Sequence, residues 1–74
     1  MYTVYEFLSK FNGESFEIVS RNGKEMLVSR SINFQDMKNA IEYKETEEDK
    51  YIDYIGEKVV VKVDLMTNTI YCED

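Results

Sequence analysis

Carboxylates and tyrosines are concentrated in one stretch of the sequence, EYKETEEDKYIDYIGEK, which covers residues 42–58. Its carboxylate oxygens could ligate a hard cation such as calcium, but their spacing does not follow the D-x-[DN]-x-[DN]-G pattern of a calcium-binding loop. A solvated charged face is therefore the better interpretation, and we expect no metal site and no cofactor. The acids concerned are Glu45, Glu47, Glu48, Asp49 and Asp53.

Tyrosines lie within or beside the same acidic run, at Tyr43, Tyr51 and Tyr54. Tyrosine presents a large amphipathic surface that loses little rotamer entropy on ordering, and it is enriched in protein interfaces. Apolar groups and carboxylates presented together suit a basic partner surface. The other tyrosines have a structural interpretation, in which they seat the first helix or cover the sheet: Tyr2, Tyr5 and Tyr71.

The residue types that carry enzymatic chemistry are scarce. A nucleophile needs a base within reach, usually histidine, and the chain has no histidine. The only cysteine, Cys72, excludes an internal disulfide, and with no histidine the usual zinc ligand sets are excluded too. Cys72 shares a strand face with Ile70, which predicts a small buried hydrophobe. A paired-carboxylate hydrolase would need a cleft that a chain of this size seldom encloses, so we expect no enzyme.

Length and composition predict a single domain that covers residues 1–74. A second core could not bury enough apolar surface to offset the conformational entropy of its own residues. Hydrophobic residues make up 43% of the chain and aromatic residues 14%, which predicts that it folds. No apolar run approaches the length of about 20 residues that a membrane span needs, so we expect a soluble cytoplasmic protein.

The formal net charge of -6 is distributed unevenly. Residues 1–30 contain four acids and four bases, whereas residues 31–74 contain eleven acids and five lysines, a difference of -6. Direct nucleic-acid binding would require a clustered basic face, because neutralised phosphates supply most non-specific affinity. The charge therefore disfavours direct nucleic-acid binding and favours a basic protein as the partner, while the lack of a long apolar run disfavours a membrane.

The first half of the chain predicts a helix, a hairpin and a second helix. In TVYEFLSKFNG, Thr3 and Glu6 match a capping box, the apolar residues follow helical spacing, and Asn12-Gly13 supplies the stop. The segment SFEIVSRNGKEMLVSR predicts a hairpin with a type I′ turn at Asn22-Gly23. In SINFQDMKNAIEY, a helix capped by Asn33 and Asp36 carries an apolar stripe. The stripe consists of Phe34, Met37, Ala40 and Ile41.

The second half predicts a further hairpin and leaves one element open. Thr46 could cap EEDKYIDYI as a third helix that ends at Gly56, and we favour that helix over a loop. In EKVVVKVDLMTNTIYCED, alternation predicts that Val59, Val61, Val63 and Leu65 share one face, with the turn at residues 66–69. The expected fold class is a small α+β domain, in which two β-hairpins form an antiparallel sheet with two or three helices on one face.

The TVYEFL start, the NGKE hairpin and the late VDLMTNTIY hairpin resemble those of short proteins from phages and mobile elements of low-GC Gram-positive bacteria. In size, charge and lack of catalytic groups the chain is similar to anti-CRISPR and other anti-defence inhibitors. The resemblance implies an inhibitor that acts in the host cytoplasm. It assigns a role to no individual residue.

Two functional hypotheses follow. The first is a non-enzymatic inhibitor whose acidic, tyrosine-bearing surface blocks a basic nucleic-acid-handling host protein, with carboxylates in the positions that normally receive phosphates. The second is a structural or assembly protein that forms a homodimer or larger assembly through a sheet edge, with the final strand TIYCED as the candidate edge. The predicted partner-binding residues are Glu45, Glu47, Glu48, Asp49, Tyr51, Asp53 and Tyr54.

Overall fold

The chain begins with a short helix that carries the predicted capping box. A computed structural model describes residues 1–20, the backbone of residues 25–26, and residues 31–73. Helix α1 spans Val4–Lys10, and the hydroxyl of Thr3 accepts a hydrogen bond from the Glu6 amide. The Glu6 carboxylate in turn accepts one from the Thr3 amide. Gly13 follows the helix with φ 99°, the left-handed backbone expected of the predicted stop.

The first predicted hairpin is confirmed where the structure describes it. Strand β1 spans Glu17–Ser20 and strand β2 spans Glu25–Met26, and they pair antiparallel with Ser20 opposite Glu25. The predicted turn at Asn22-Gly23 lies outside the described residues.

Two helices follow, and each begins at the predicted cap. Helix α2 spans Phe34–Tyr43, with a reciprocal capping box between Asn33 and Asp36. Helix α3 spans Glu47–Gly56 and is capped by Thr46, so the third helix is confirmed.

Helix α3 ends at Gly56 as predicted, but Gly56 does not act as a left-handed stop. Gly56 is the last helical residue, it is buried, and the cap is Glu57 in right-handed backbone. A Cβ at Gly56 would lie 3.1 Å from Sδ of Met37 in α2 and 3.7 Å from Cβ of Tyr5 in α1. The glycine therefore serves close packing among the three helices and not a left-handed stop.

The second hairpin contains a bulge that corrects the predicted strand faces. Strand β3 spans Val59–Asp64 and strand β4 spans Thr69–Glu73, joined by a turn at residues 65–68 that lies one residue earlier than predicted. Val60 pairs with Cys72 and Lys62 pairs with Tyr71, which leaves Val61 as an extra residue. An extra residue reverses the alternation of side chains. The core side of β3 is therefore formed by Val60 and Val63.

The predicted fold class is confirmed, although the sheet is mixed and not wholly antiparallel. Its strand order is β2-β1-β4-β3, and β1 pairs parallel to β4. Ile18 lies beside Ile70 and Ser20 beside Cys72 in this central pair. The segment TIYCED was predicted to be a free edge, but β4 lies between β1 and β3.

The core lies between the three helices and one face of the sheet. Alternation in β4 places Ile70 and Cys72 on the buried face and Tyr71 on the other, as predicted. Phe16 and Ile32 add a short antiparallel bridge before β1 and α2. The fully or almost fully buried core side chains are Val4, Leu8, Phe16, Ile18, Ile32, Met37, Ala40, Ile52, Ile55, Ile70 and Cys72.

Candidate functional site

A sharp reversal between α2 and α3 brings most of the predicted contact residues to one corner of the molecule. Lys44 ends α2 in left-handed backbone, with φ 48° and ψ 43°, and its amide donates to the Ala40 carbonyl at 3.0 Å. Residues 44–46 then lead directly into α3. This short connection places the acidic first turn of α3 beside the end of α2.

Asp49 makes two hydrogen bonds at the start of α3. Its amide donates to the Thr46 hydroxyl at 3.0 Å, and its carboxylate accepts a hydrogen bond from the Glu45 amide at 3.1 Å. The bond to Thr46 satisfies a backbone donor that the first turn of a helix leaves without a partner, and the bond from Glu45 holds the connection against that turn. Asp49 therefore has a structural role in addition to the partner contact that the sequence predicts.

Asp53 is also engaged within the chain. Its carboxylate lies 3.3 Å from the Lys44 amine, and this ion pair joins the middle of α3 to the end of α2. The Asp53 side chain is only 27% exposed, against 50% for Lys44. Of the predicted carboxylates, Asp49 and Asp53 thus act within the fold, whereas Glu45, Glu47 and Glu48 are exposed.

The outer side of α3 forms an open depression of about 530 Å³, which we call the α3 depression. Tyr51 and Tyr54 line it with 40% and 52% exposure, while Ile52 and Ile55 on the other side of the helix are fully buried. The apolar side of α3 thus fixes the helix in the core and leaves the tyrosines at the surface. The residues that line the α3 depression are Glu47, Glu48, Lys50, Tyr51 and Tyr54.

The two tyrosine rings are almost parallel. Their centroids are 6.4 Å apart and their planes differ by 18°. The Lys58 amine lies 4.7 Å from the centroid of the Tyr54 ring, and Lys58 itself is almost fully buried, with a relative exposure of 5%. A cation against the ring quadrupole is favourable, so Lys58 helps to orient Tyr54.

Two lysines at this site were missed by the sequence prediction. Lys50 lines the depression and its amine lies 3.4 Å from the Glu47 carboxylate, a pair that the i, i+3 spacing could have indicated. Lys58 lies four residues after Tyr54, just beyond the end of α3, so the i, i+4 spacing could have indicated this contact too, although not the burial of Lys58.

Tyrosines elsewhere make contacts that fit their structural interpretation. Tyr5 packs edge-on against Phe34 at 5.2 Å between centroids. The Lys10 amine lies 5.2 Å from the Tyr2 ring centroid. Tyr71 is partly buried on the outer face of the sheet. Tyr43 is 59% exposed at the end of α2 and does not line the depression.

Cysteine and carboxylate side chains bear on other chemistry in the described part of the chain. Cys72 is fully buried, as predicted, and its Sγ donates to the Val19 carbonyl at 3.6 Å. Among residues 1–20 and 31–73, no three His, Cys, Asp or Glu side chains converge in a way that could hold a metal ion. No helix in the described ranges has the length and apolarity to cross a membrane.

The site is thus an exposed pair of aromatic rings beside carboxylates on α3. This helix is capped by Thr46 and Glu57 and is joined to α2 by the Lys44–Asp53 ion pair. Such a surface can bind a cationic group by ring contact and charge. Comparison with protein-family models, curated proteins and solved structures finds no match to this chain.

Proposed function

We propose that this protein is a non-enzymatic inhibitor that binds a basic nucleic-acid-binding surface of a host protein through the α3 depression. The observation that carries the proposal is the exposure of Tyr51 and Tyr54 beside the acidic first turn of α3. The resemblance to inhibitors of phages and mobile elements favours a bacterial host protein as the target.

Charge supports this choice of partner. The exposed carboxylates of Glu45, Glu47 and Glu48 lie on the connection and first turn of α3. A negative surface attracts a basic protein over several ångströms and accelerates the encounter, and this effect weakens as salt screens the charges. Carboxylates bound in the positions of phosphates would exclude nucleic acid.

Rigidity supports it as well. Ile52 and Ile55 are fully buried, and the Thr46 cap and the Lys44–Asp53 pair hold the start and middle of α3. A preorganised surface loses less conformational entropy on binding than a flexible one. Tyrosine adds contact area at little further entropic cost.

The test is affinity capture followed by direct competition. The full chain is used to capture proteins from a lysate of a low-GC Gram-positive bacterium at low and high salt. We expect a nucleic-acid-handling protein that is lost at high salt. The purified partner's binding to labelled DNA or RNA is then measured by fluorescence anisotropy with and without the chain.

Matched charge variants make the result specific. Glu47→Gln with Glu48→Gln removes two charges at the depression, whereas Glu6→Gln with Glu14→Gln removes two charges near α1. We expect the first pair to weaken competition more than the second. Equal effects of the two pairs, or a partner that binds nucleic acid equally well in the presence of the chain, would overturn the proposal.

Self-association through a sheet edge is a second candidate function, with β3 in place of the final strand as the candidate edge. β3 is an edge strand, in which Val61 is 43% exposed, and Leu65 directly after it is 64% exposed. The N-terminal segment already covers the start of this edge, because the Val60 amide donates to the Tyr2 carbonyl at 2.9 Å. Sedimentation velocity at micromolar concentration tests this function, and a strict monomer would exclude it.

A further inference from the structure

We infer that the α3 depression receives an arginine side chain of the partner protein. The inference deepens the proposed function, on which it rests, by naming the group that the depression recognises. Lysine, an apolar side chain and a nucleic-acid base are the competing occupants, and each is an outcome of the test below.

The aromatic part of the depression favours a flat cation. The planes of Tyr51 and Tyr54 differ by only 18°, and about half of each residue is exposed. Guanidinium is planar and weakly hydrated, so it stacks on aromatic rings at a smaller desolvation cost than a compact, strongly hydrated ammonium group. Two nearly parallel faces therefore select arginine over lysine.

The acidic part provides the hydrogen-bond acceptors that a guanidinium requires. Glu47 and Glu48 line the same depression as the two rings. A carboxylate accepts two parallel N–H bonds from guanidinium, which fixes the orientation of the group as well as its charge. A phosphate backbone would be repelled by these acids, which disfavours a nucleic-acid occupant.

Two of the chain's own lysines contact residues of the α3 depression. The Lys50 amine lies 3.4 Å from the Glu47 carboxylate, and the Lys58 amine lies 4.7 Å from the Tyr54 ring centroid. A cation is thus found at the acidic part of the depression, and the Tyr54 ring accepts a second cation from within the fold, since Lys58 is buried and does not line the depression. The Lys50–Glu47 pair is highly exposed, with side-chain exposures of 60% and 93%, so it offers little resistance to exchange for a partner's guanidinium.

The role of Lys50 gives a distinctive expectation. Its amine repels an incoming cation and competes for Glu47. Replacing Lys50 with glutamine should therefore tighten binding of an arginine ligand. If Lys50 instead made a favourable contact with the ligand, the same replacement would weaken binding. Lys50 is exposed, so the substitution leaves the core unchanged.

The experiment uses the full chain and two short peptides that differ only in their cations. One is an acetylated, amidated glycine-serine peptide with three arginines, and the other carries three lysines. Each is titrated into the labelled protein while NMR follows the tyrosine ring signals. We expect the arginine peptide to shift the Tyr51 and Tyr54 signals and to bind about two- to fivefold more tightly than the lysine peptide.

Variants assign the effect to the rings. Tyr51→Leu and Tyr54→Leu should abolish the arginine preference, and Tyr43→Leu is the matched control because Tyr43 is exposed outside the depression. The amide spectrum of each variant reports whether it folds. Should a tyrosine variant unfold, Lys50→Gln is the decisive measurement, and it should increase affinity for the arginine peptide.

Several results would overturn the inference. They are equal binding of the two peptides, shifts that avoid Tyr51 and Tyr54, no binding at millimolar peptide, or shifts of the same rings by a thymidine oligonucleotide. The failures are distinguishable: arginine-selective binding without competition against nucleic acid would refute the proposed function alone. Competition without arginine selectivity would refute this inference alone.

Discussion

Replacing an engaged carboxylate of α3 should lower the free energy of unfolding much more than replacing an exposed one. Asp49 accepts a hydrogen bond from the Glu45 amide at 3.1 Å, whereas Glu47 is highly exposed and pairs only at the surface with Lys50. We predict that Asp49→Ala lowers the free energy of unfolding by about 1 to 2 kcal/mol, because it removes the hydrogen bond to the Glu45 amide and the negative charge at the helix N-terminus, while the Thr46 cap is kept. Glu47→Ala should change it by less than about 0.5 kcal/mol.

The conservative variant separates the two contributions. In Asp49→Asn the amide oxygen can still accept from Glu45, but the negative charge at the helix terminus is gone. We expect Asp49→Asn to cost about 0.3 to 1 kcal/mol, since it removes only the interaction with the helix dipole. The remaining difference from Asp49→Ala measures the hydrogen bond.

Thermal and urea unfolding followed by circular dichroism provide the assay. For a chain of this size, 1 kcal/mol changes Tm by about 4–8 °C, so Asp49→Ala should lower Tm by roughly 5 to 15 °C. Equal Tm values for Asp49→Ala and Glu47→Ala would refute the assignment of Asp49 to the fold. A binding test that replaces Asp49 together with the exposed glutamates would confuse unfolding with loss of contact.

Two further predictions concern packing and the sheet edge. Gly56→Val should destabilise the protein by about 1–3 kcal/mol in urea unfolding, because its side chain meets Sδ of Met37 and Cβ of Tyr5. Adding Met37→Ala should recover part of that loss, and strictly additive costs would contradict this close approach. Deleting Val61 should leave a folded protein, because Val60 opposite Cys72 and Lys62 opposite Tyr71 then form a regular ladder. The straightened edge should self-associate more in sedimentation velocity, and an unfolded deletion variant would show that the bulge is required.

Local signals in the sequence predicted the elements of the fold. The caps at Thr3, Asn33 and Thr46 are side-chain bonds to an amide three residues ahead, so each depends on a few neighbouring residues. The third helix was predictable for the same reason. The buried position of Cys72 followed from strand alternation.

The bulge and the central strand pair were not predictable in this way. Nothing in VVVKV marks Val61 as the extra residue, since any residue of the run could be inserted without changing the apolar pattern. The parallel pairing of Glu17–Ser20 with Thr69–Glu73 joins segments about fifty residues apart, as the Cys72–Val19 contact at a separation of 53 shows. Hairpin signals carry no information about such a pair.

The candidate site was likewise predictable only where it depends on neighbouring residues. The sequence by itself determined that acids and tyrosines would lie together on one capped helix, because helical spacing and end caps are properties of adjacent residues. Only the tertiary structure decided which of them remain available to a partner. Asp53 is engaged because α2 ends beside it with Lys44, and Tyr54 is oriented because Lys58, four residues later, is buried against its ring. The Lys44–Asp53 pair and the burial of Lys58 depend on where separate elements meet after the core has packed, and that is settled by the whole chain.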